Sequence, residues 1–476
     1  MKFFKRFLCL TLVIATVAMA LAACNGTQEP TDTTAPDTTT ADTTTAPVTT
    51  VPVTTEPVTT EPVTTVPVTT EPPAELTLAQ KLAVVTGKEL SKTFVGDDFL
   101  GEGGYETHRY LQAEEEQYEA ACKLFEDEGW TLYCEDAMTY TASKTYTKGN
   151  AYAVILFLAR KAWLMVTISE GGAGNLPVQD TEYEKLYPVT ITQPCTEPKQ
   201  GLCEIFRLSD GSFLLFDGSN RGSQDAIWSH LVELNGGSAE NIHIRAWVLT
   251  HTHGDHYGGF RDFAYSYASH VKLDYVLFAP TNRDIIKAIE DLPNNDWDTI
   301  DYSFNRGAVS GSDSLAMIWT ALFEGAKLCV VHAGQKFHFG GADLRILYTS
   351  EHLYIDKIPV NVNNTSISAL VTSEDGQAYI GGDSGTEATE WIIRVHYKDV
   401  ASDIFQIPHH GMSTKTDVSL AQLVLADIIL VPCTKNYYEK NARVHTETIR
   451  NMEQVKASHV MGEGTVTYKL DGTLLP

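Results

Sequence analysis

His251-Thr252-His253-Gly254-Asp255-His256 sets three imidazoles and a carboxylate into six consecutive positions. Ahead of it, Ile244-Arg245-Ala246-Trp247-Val248-Leu249-Thr250 reads as a buried strand, and Tyr257-Gly258-Gly259 follows. A strand ending in His-x-His-x-Asp-His delivers nitrogen and oxygen donors to one point at the sheet edge. Neutral imidazole with carboxylate suits Zn²⁺, Mn²⁺ or iron, whereas Ca²⁺ and Mg²⁺ take oxygen ligands. A histidine-rich surface turn would need no apolar strand leading into it.

Working outward, the 476 residues allow two or three domains, and 43% hydrophobic with 20% charged residues is ordinary globular composition. The formal net charge of −26 repels other polyanions at long range and leans against a surface built to grip long nucleic acid.

Met1-Lys2-Phe3-Phe4-Lys5-Arg6 is a basic start, Phe7 to Leu21 is apolar, and Leu21-Ala22-Ala23-Cys24 closes the segment. That order reads as a secretory signal over residues 1–23 rather than a spanning helix. The closing tetrad resembles a bacterial lipobox, which implies lipidation at Cys24, membrane attachment through it and an extracytoplasmic location facing cell wall or exterior. Residues 24–75 are rich in Thr, Pro and Val, with Pro47, Pro52, Pro57, Pro62, Pro67 and Pro72 evenly spaced. Such a tract buries no core and favours extended polyproline conformation, so it reads as a disordered linker. At about 3.1 Å per residue it reaches roughly 150 Å. Of the eight cysteines, Cys122, Cys134, Cys195, Cys203, Cys329 and Cys433 lie beyond this region, and none falls in the histidine motif. An extracytoplasmic setting permits disulfides, but spacing does not choose their pairing.

Residues 76–180 read as a small α+β domain. Its amphipathic helix spans Glu114 to Asp127, and strands are expected at Thr131–Tyr133, Tyr140–Tyr146, Tyr152–Leu158 and Trp163–Ile168. It carries no catalytic constellation. From 187 to 476 strands and helices alternate, as in α/β layers.

Several ordered signatures in that second segment resemble the metallo-β-lactamase superfamily, and within it the ComEC/Rec2-type hydrolase domain. Phe216-Asp217-Gly218-Ser219 resembles the early strand ending in Asp-x-Gly, whose aspartate supports the site without binding metal. Gly381-Gly382-Asp383-Ser384 resembles the element whose carboxylate bridges two metals. Ile407-Pro408-His409-His410-Gly411-Met412-Ser413 is similar to the Pro-His-His-Gly-Ser signature of the ComEC-type branch. Lys435-Asn436 followed by His445 is similar to that branch's closing segment, with Thr446 where proline is expected. Asn364 stands where the wider superfamily has another histidine; it either reaches the metal through its side-chain carbonyl or forms a turn before a strand.

The resemblance implies a four-layer αββα sandwich and two divalent ions, zinc in the first place and Mn or Fe otherwise. His251 and His253 would hold one ion, Asp255, His256 and His409 the other, and Asp383 both. His409 is favoured over His410 because it stands directly at a strand end, where successive side chains alternate. Asp255 would orient a bridging hydroxide for attack, and His410 or His445 would assist the leaving group. The reaction expected is metal-dependent hydrolysis of a phosphodiester, in nucleic acid or an envelope polymer; no protein partner is inferred. The alternative is a lipid-anchored binding or adhesion module with a degenerate metal site.

Overall fold

The computed structural model describes residues 76–198, 200–282, 314–354, 362–441 and 443–476. The expected signal segment, Cys24 and the Thr/Pro-rich linker lie outside the described residues. Among the described residues no helix is long and apolar enough to cross a membrane, and the six cysteines there are free.

Six strands come first: β1 Leu90–Gly96, β2 Tyr105–Leu111, β3 Thr131–Ala137, β4 Thr141–Lys148, β5 Ala151–Leu158 and β6 Trp163–Ser169. They form an antiparallel sheet in the order β1-β2-β6-β5-β4-β3. Helices Leu78–Thr86 and Glu115–Asp127 cover one face, burying Leu82, Tyr118, Ala121 and Phe125 against Tyr110, Tyr146, Ile155 and Val166. Neither β1, β2 nor the first helix was expected from sequence. In β1 four unburied residues precede Phe94, and β2 buries the polar Thr107, His108 and Arg109 in place of alternating apolar side chains.

The next six strands are β7 Thr190–Gln193, β8 Glu204–Arg207, β9 Phe213–Phe216, β10 Ile242–Leu249, β11 Val271–Phe278 and β12 Lys327–Val330. The remainder are β13 Lys336–Phe339, β14 Ala342–Tyr348, β15 Ser368–Thr372, β16 Gln377–Ile380, β17 Ile404–Gln406, β18 Ile428–Val431, β19 Ala457–Val460 and β20 Val466–Lys469. They build two seven-stranded sheets, β12-β11-β10-β9-β8-β7-β20 and β13-β14-β15-β16-β17-β18-β19. Strands β9 to β12 run parallel in the first, and β16 to β19 in the second.

Alternation along the strands decides what each sheet faces. Leu214 and Phe216 of β9 point into the core between the sheets, with Leu344, Ile346, Val371 and Ile380 opposite. Phe213 and Leu215 point the other way, under Ile227, Leu231, Phe260 and Phe263 of the covering helices. A register shift between Ile244 and Ala246 lets β10 bury Ile244 on the helix side and Ala246 between the sheets. On the outer face of the second sheet Trp391, Ile392, Leu420 and Val424 complete the fourth layer. The result is a four-layer αββα sandwich.

The small α+β unit shares this core. Its uncovered sheet face inserts Tyr105, Leu156 and Met165 among Leu347, Trp391 and Ile392, and Tyr152 and Val154 join the core between the two large sheets. Here three further histidines meet. His332 contacts the Tyr152 hydroxyl at 3.0 Å and the Glu351 carboxylate at 3.1 Å, while His352 packs edge-on to Trp391 and His396 reaches the Leu347 carbonyl at 3.1 Å.

Candidate metal centre

The residues of the centre follow the carboxyl ends of strands. Asp217 comes directly after β9, the His251–His256 turn after β10, Asp383 after β16 and His410 after β17. Parallel neighbours point their carboxyl ends the same way, so the loops after them share one edge of the sheet.

The β10 turn explains its own spacing. His253 is extended (φ −84°, ψ 145°) and caps the helix Gly254–Tyr267, so Asp255 and His256 project from its first turn. The positive end of the helix dipole favours a carboxylate there. His251 and His253 leave from the extended stretch, and the ring atoms His251 Nε2 and His253 Nδ1 lie 3.0 Å apart. A Cβ at Gly259 would stand 1.7 Å from the Gly218 carbonyl oxygen. Only glycine lets this helix lie against the Asp217 turn.

Asp217 is buried, at φ 53°. Its carboxylate accepts from Thr250 N at 2.7 Å and Thr250 Oγ1 at 2.6 Å, and meets His256 Nδ1 at 2.6 Å. A proton on His256 Nδ1 leaves Nε2 as a lone pair directed inward. His410 is set the same way, since its Nδ1 donates to the Pro432 carbonyl at 2.8 Å. The two Nε2 atoms then face each other at 3.3 Å. Asp383 Oδ2 lies 3.1 Å from each of them, and Asp255 Oδ2 is 3.0 Å from His410 Nε2.

This arrangement fits a pair of cations. The donors fall into two groups, His251 with His253 and Asp383, and Asp255 with His256 and His410, each with its donor atoms within 4.8 Å of one another. Inward lone pairs at contact distance repel unless positive charge lies among them, and Asp383 Oδ1 is buried with no hydrogen-bond partner among the described residues. The titration shifts show the same demand for positive charge, met by protons on the rings facing Asp383. Burial and the neighbouring rings of His256 and His253 hold His251 well below the usual imidazole range, leaving it a neutral donor. Burial also disfavours charge on His256, yet Asp383 and Asp217 outweigh it and hold that ring up to about 10. Burial likewise opposes ionisation of Asp383, but His256 and His410 keep the carboxyl well below its ordinary range. With imidazole and carboxylate the only donors in these groups, the set is of the type that takes Zn²⁺, Mn²⁺ or iron.

One expectation is corrected by the geometry, and two other residues left open by the sequence are placed. His410, not His409, joins Asp255 and His256. Strand β17 ends at Gln406, and both histidines adopt φ 53°, so strand alternation no longer applies where they leave the chain. His409 Nε2 instead accepts from Asn363 Nδ2 at 3.1 Å. Asn364 directs its carbonyl away from the metal groups: Oδ1 accepts from the backbone N–H of Glu387 and Ala388, each at 3.1 Å, and Nδ2 donates to Glu387 Oε2. It therefore caps the helix Thr386–His396 that follows Asp383. His445 has no hydrogen bond or ion pair to these groups among the described residues; it sits half-buried on the helix Val444–Arg450.

Other contributors were not legible beforehand. The Pro432 carbonyl, which orients His410, is a backbone atom. Thr446, in the place expected for proline, donates its hydroxyl to the Gly411 carbonyl and braces the turn beside His410. Tyr437 stands at the margin with its hydroxyl 2.9 Å from Met412 Sδ.

Residues 197–290 match the family model for the metallo-beta-lactamase superfamily, and no curated protein matches the chain. Among solved structures the chain is similar to the metallo-beta-lactamase fold protein YhfI from Bacillus subtilis, 10% identical over 58% of this chain and 96% of that one, TM-score 0.33. It is also similar to CmlA, a diiron beta-hydroxylase from Streptomyces venezuelae (11% identical, 61% of this chain and 55% of that one, TM-score 0.34). Human tRNase Z, short form, is a third (13% identical, 52% and 93%, TM-score 0.27). The matched segment 197–290 carries the His251–His256 turn, so the similarity to the metallo-β-lactamase superfamily includes that part of the centre.

Proposed function

We propose that this protein is a metal-dependent hydrolase that cleaves phosphodiesters, and that lipidated Cys24 and the linker hold it at the outer face of a bacterial membrane. The observation that carries the reading is the position of Asp383, whose Oδ2 stands 3.1 Å from both His256 and His410 and whose carboxylate also belongs with His251 and His253. Two ions held by these residues, zinc in the first place, would supply a water acidified towards neutrality and positive charge for the transition state.

The chain's own residues divide the remaining work. Asp217 and the Pro432 carbonyl fix the tautomers of His256 and His410, so both rings are preset as donors. Asp255 is the one member of the two groups that is not buried. It therefore faces the side from which substrate and water arrive, and its carboxylate can orient the attacking water and accept its proton. The Pro408-His409-His410-Gly411 resemblance to the ComEC-type branch favours a phosphodiester over a β-lactam. An external location suits extracellular nucleic acid or an envelope phosphodiester, and the net charge of −26 tilts towards the shorter or less charged of these. The binding-module alternative requires a degenerate site, yet Asn364 caps a helix and both donor groups are formed without it.

The test is a metal count on the purified protein together with turnover of bis(p-nitrophenyl) phosphate and nitrocefin by wild type and His253→Ala. We expect about two ions per chain, hydrolysis of the diester alone, and loss of that activity in the variant. A wild type that binds no metal, or that opens nitrocefin and spares the diester, would overturn the proposal.

A further inference from the structure

Tyr437 lies on the helix Lys435–Asn441, which follows the Pro432 carbonyl that orients His410. The segment leading to it is pinned: Lys435 N donates to Glu197 Oε1 at 2.8 Å and Tyr437 N to Thr434 Oγ1 at 3.2 Å. Its half-buried ring packs on the core beneath the second sheet, and its hydroxyl donates to Met412 Sδ at 2.9 Å. Met412 is itself tied to the histidine turn through its N–H to the His409 carbonyl at 2.8 Å. A thioether is a weak acceptor, and the hydroxyl's other side-chain partner, Gln200, favours its ionised form and so donates to it rather than accepting its proton. This donor is thus held in place beside the centre by a bond that a better acceptor displaces. Burial raises its pKa, and it is near enough to His410, Asp383 and Asp255 to feel the charge of all three. It remains a neutral proton donor across the physiological range.

We propose that Tyr437 is a substrate-contacting residue of this centre, its hydroxyl turning from Met412 Sδ to donate to a non-bridging oxygen of the substrate's phosphoryl group. The inference rests on the phosphodiester reading above and adds a residue to it. Negative charge gathers on that oxygen as the diester is attacked, so the bond strengthens on the way to the transition state. Oxygen discriminates here as well, because sulfur in its position accepts hydrogen bonds poorly.

The experiment compares metal-loaded wild type with Tyr437→Phe, which keeps the packed ring. Metal content should be equal. On bis(p-nitrophenyl) phosphate kcat should fall about tenfold to a hundredfold with KM within about threefold. The penalty for the corresponding phosphorothioate should be smaller in the variant than in wild type. Inorganic phosphate, titrated by calorimetry, should bind the variant more weakly. Equal kcat, or an unchanged phosphorothioate penalty, would overturn the assignment while leaving the hydrolase intact. A wild type that binds phosphate but cleaves no diester would remove the hydrolase reading; Tyr437 then stands only if Tyr437→Phe still weakens phosphate binding.

Discussion

His256 Nε2 and His410 Nε2 face each other at 3.3 Å across 154 residues of chain. Each ring has its Nδ1 tied outward, to Asp217 and to the Pro432 carbonyl, so each neutral ring turns its Nε2 lone pair towards the other. Convergence of this kind is what a metal ion requires. His410→Ala should therefore lose about one ion per chain by elemental analysis, whereas His409→Ala should keep its metal, its ring being engaged with Asn363. The reverse pattern would return the ligand role to His409.

Among the described residues the Asp217 carboxylate reaches the centre through His256 and Thr250. Asp217→Asn keeps the shape of the side chain but removes the charge opposite His256 Nδ1. Metal affinity should fall about 10- to 100-fold, measured by competition with a chromophoric chelator, with the far-ultraviolet circular dichroism unchanged. Affinity equal to wild type would show that the Asp217 carboxylate does not tune the ring.

Asn364→Ala tests a cap against a ligand. Removing two hydrogen bonds to the first turn of the helix Thr386–His396 should destabilise the fold by about 1–2 kcal/mol, read from denaturant midpoints. Metal stoichiometry should stay as in wild type. Loss of an ion would put Asn364 back in the coordination sphere.

The junction between the small unit and the sandwich should make the protein acid-sensitive. Burial lowers both His352 and His396 to about 4, whereas an unfolded histidine titrates near about 6.5. Between these values the unfolded chain binds more protons, so stability is complete above the upper limit and declines as pH falls through the window. Each displaced unit corresponds to about 1.4 kcal/mol, so the two rings together contribute several. Glu351 extends the decline to lower pH: burial opposes its charge, but His332 holds the carboxyl below its ordinary value. Denaturation midpoints at pH 7, 5.5 and 4.5 should drop steadily, and His352→Phe should flatten the profile. A midpoint independent of pH over that range would refute the account.

Much of the centre was legible because its largest part is local. His251, His253, Asp255 and His256 share one strand–turn–helix passage, and their spacing alone says that they converge. Asp217 and Asp383 were legible through the short glycine-containing turns that carry them. The choice between His409 and His410 was not, since a strand rule was extended past the end of β17 into residues with positive φ. Nor was the role of Asn364, whose partners lie 23 and 24 residues further on.

The amino-acid order by itself determined the alternation of strands and helices in the second segment, the metal-binding turn and the chemistry of its donors. All of these follow from periodicity and side-chain type within one stretch of chain. Only the folded arrangement decided which histidine after β17 turns inward, that Asn364 closes a helix, and that the first sheet shares a core with the sandwich. Those outcomes depend on contacts between distant segments and on backbone angles where regular structure stops, and no local pattern encodes either.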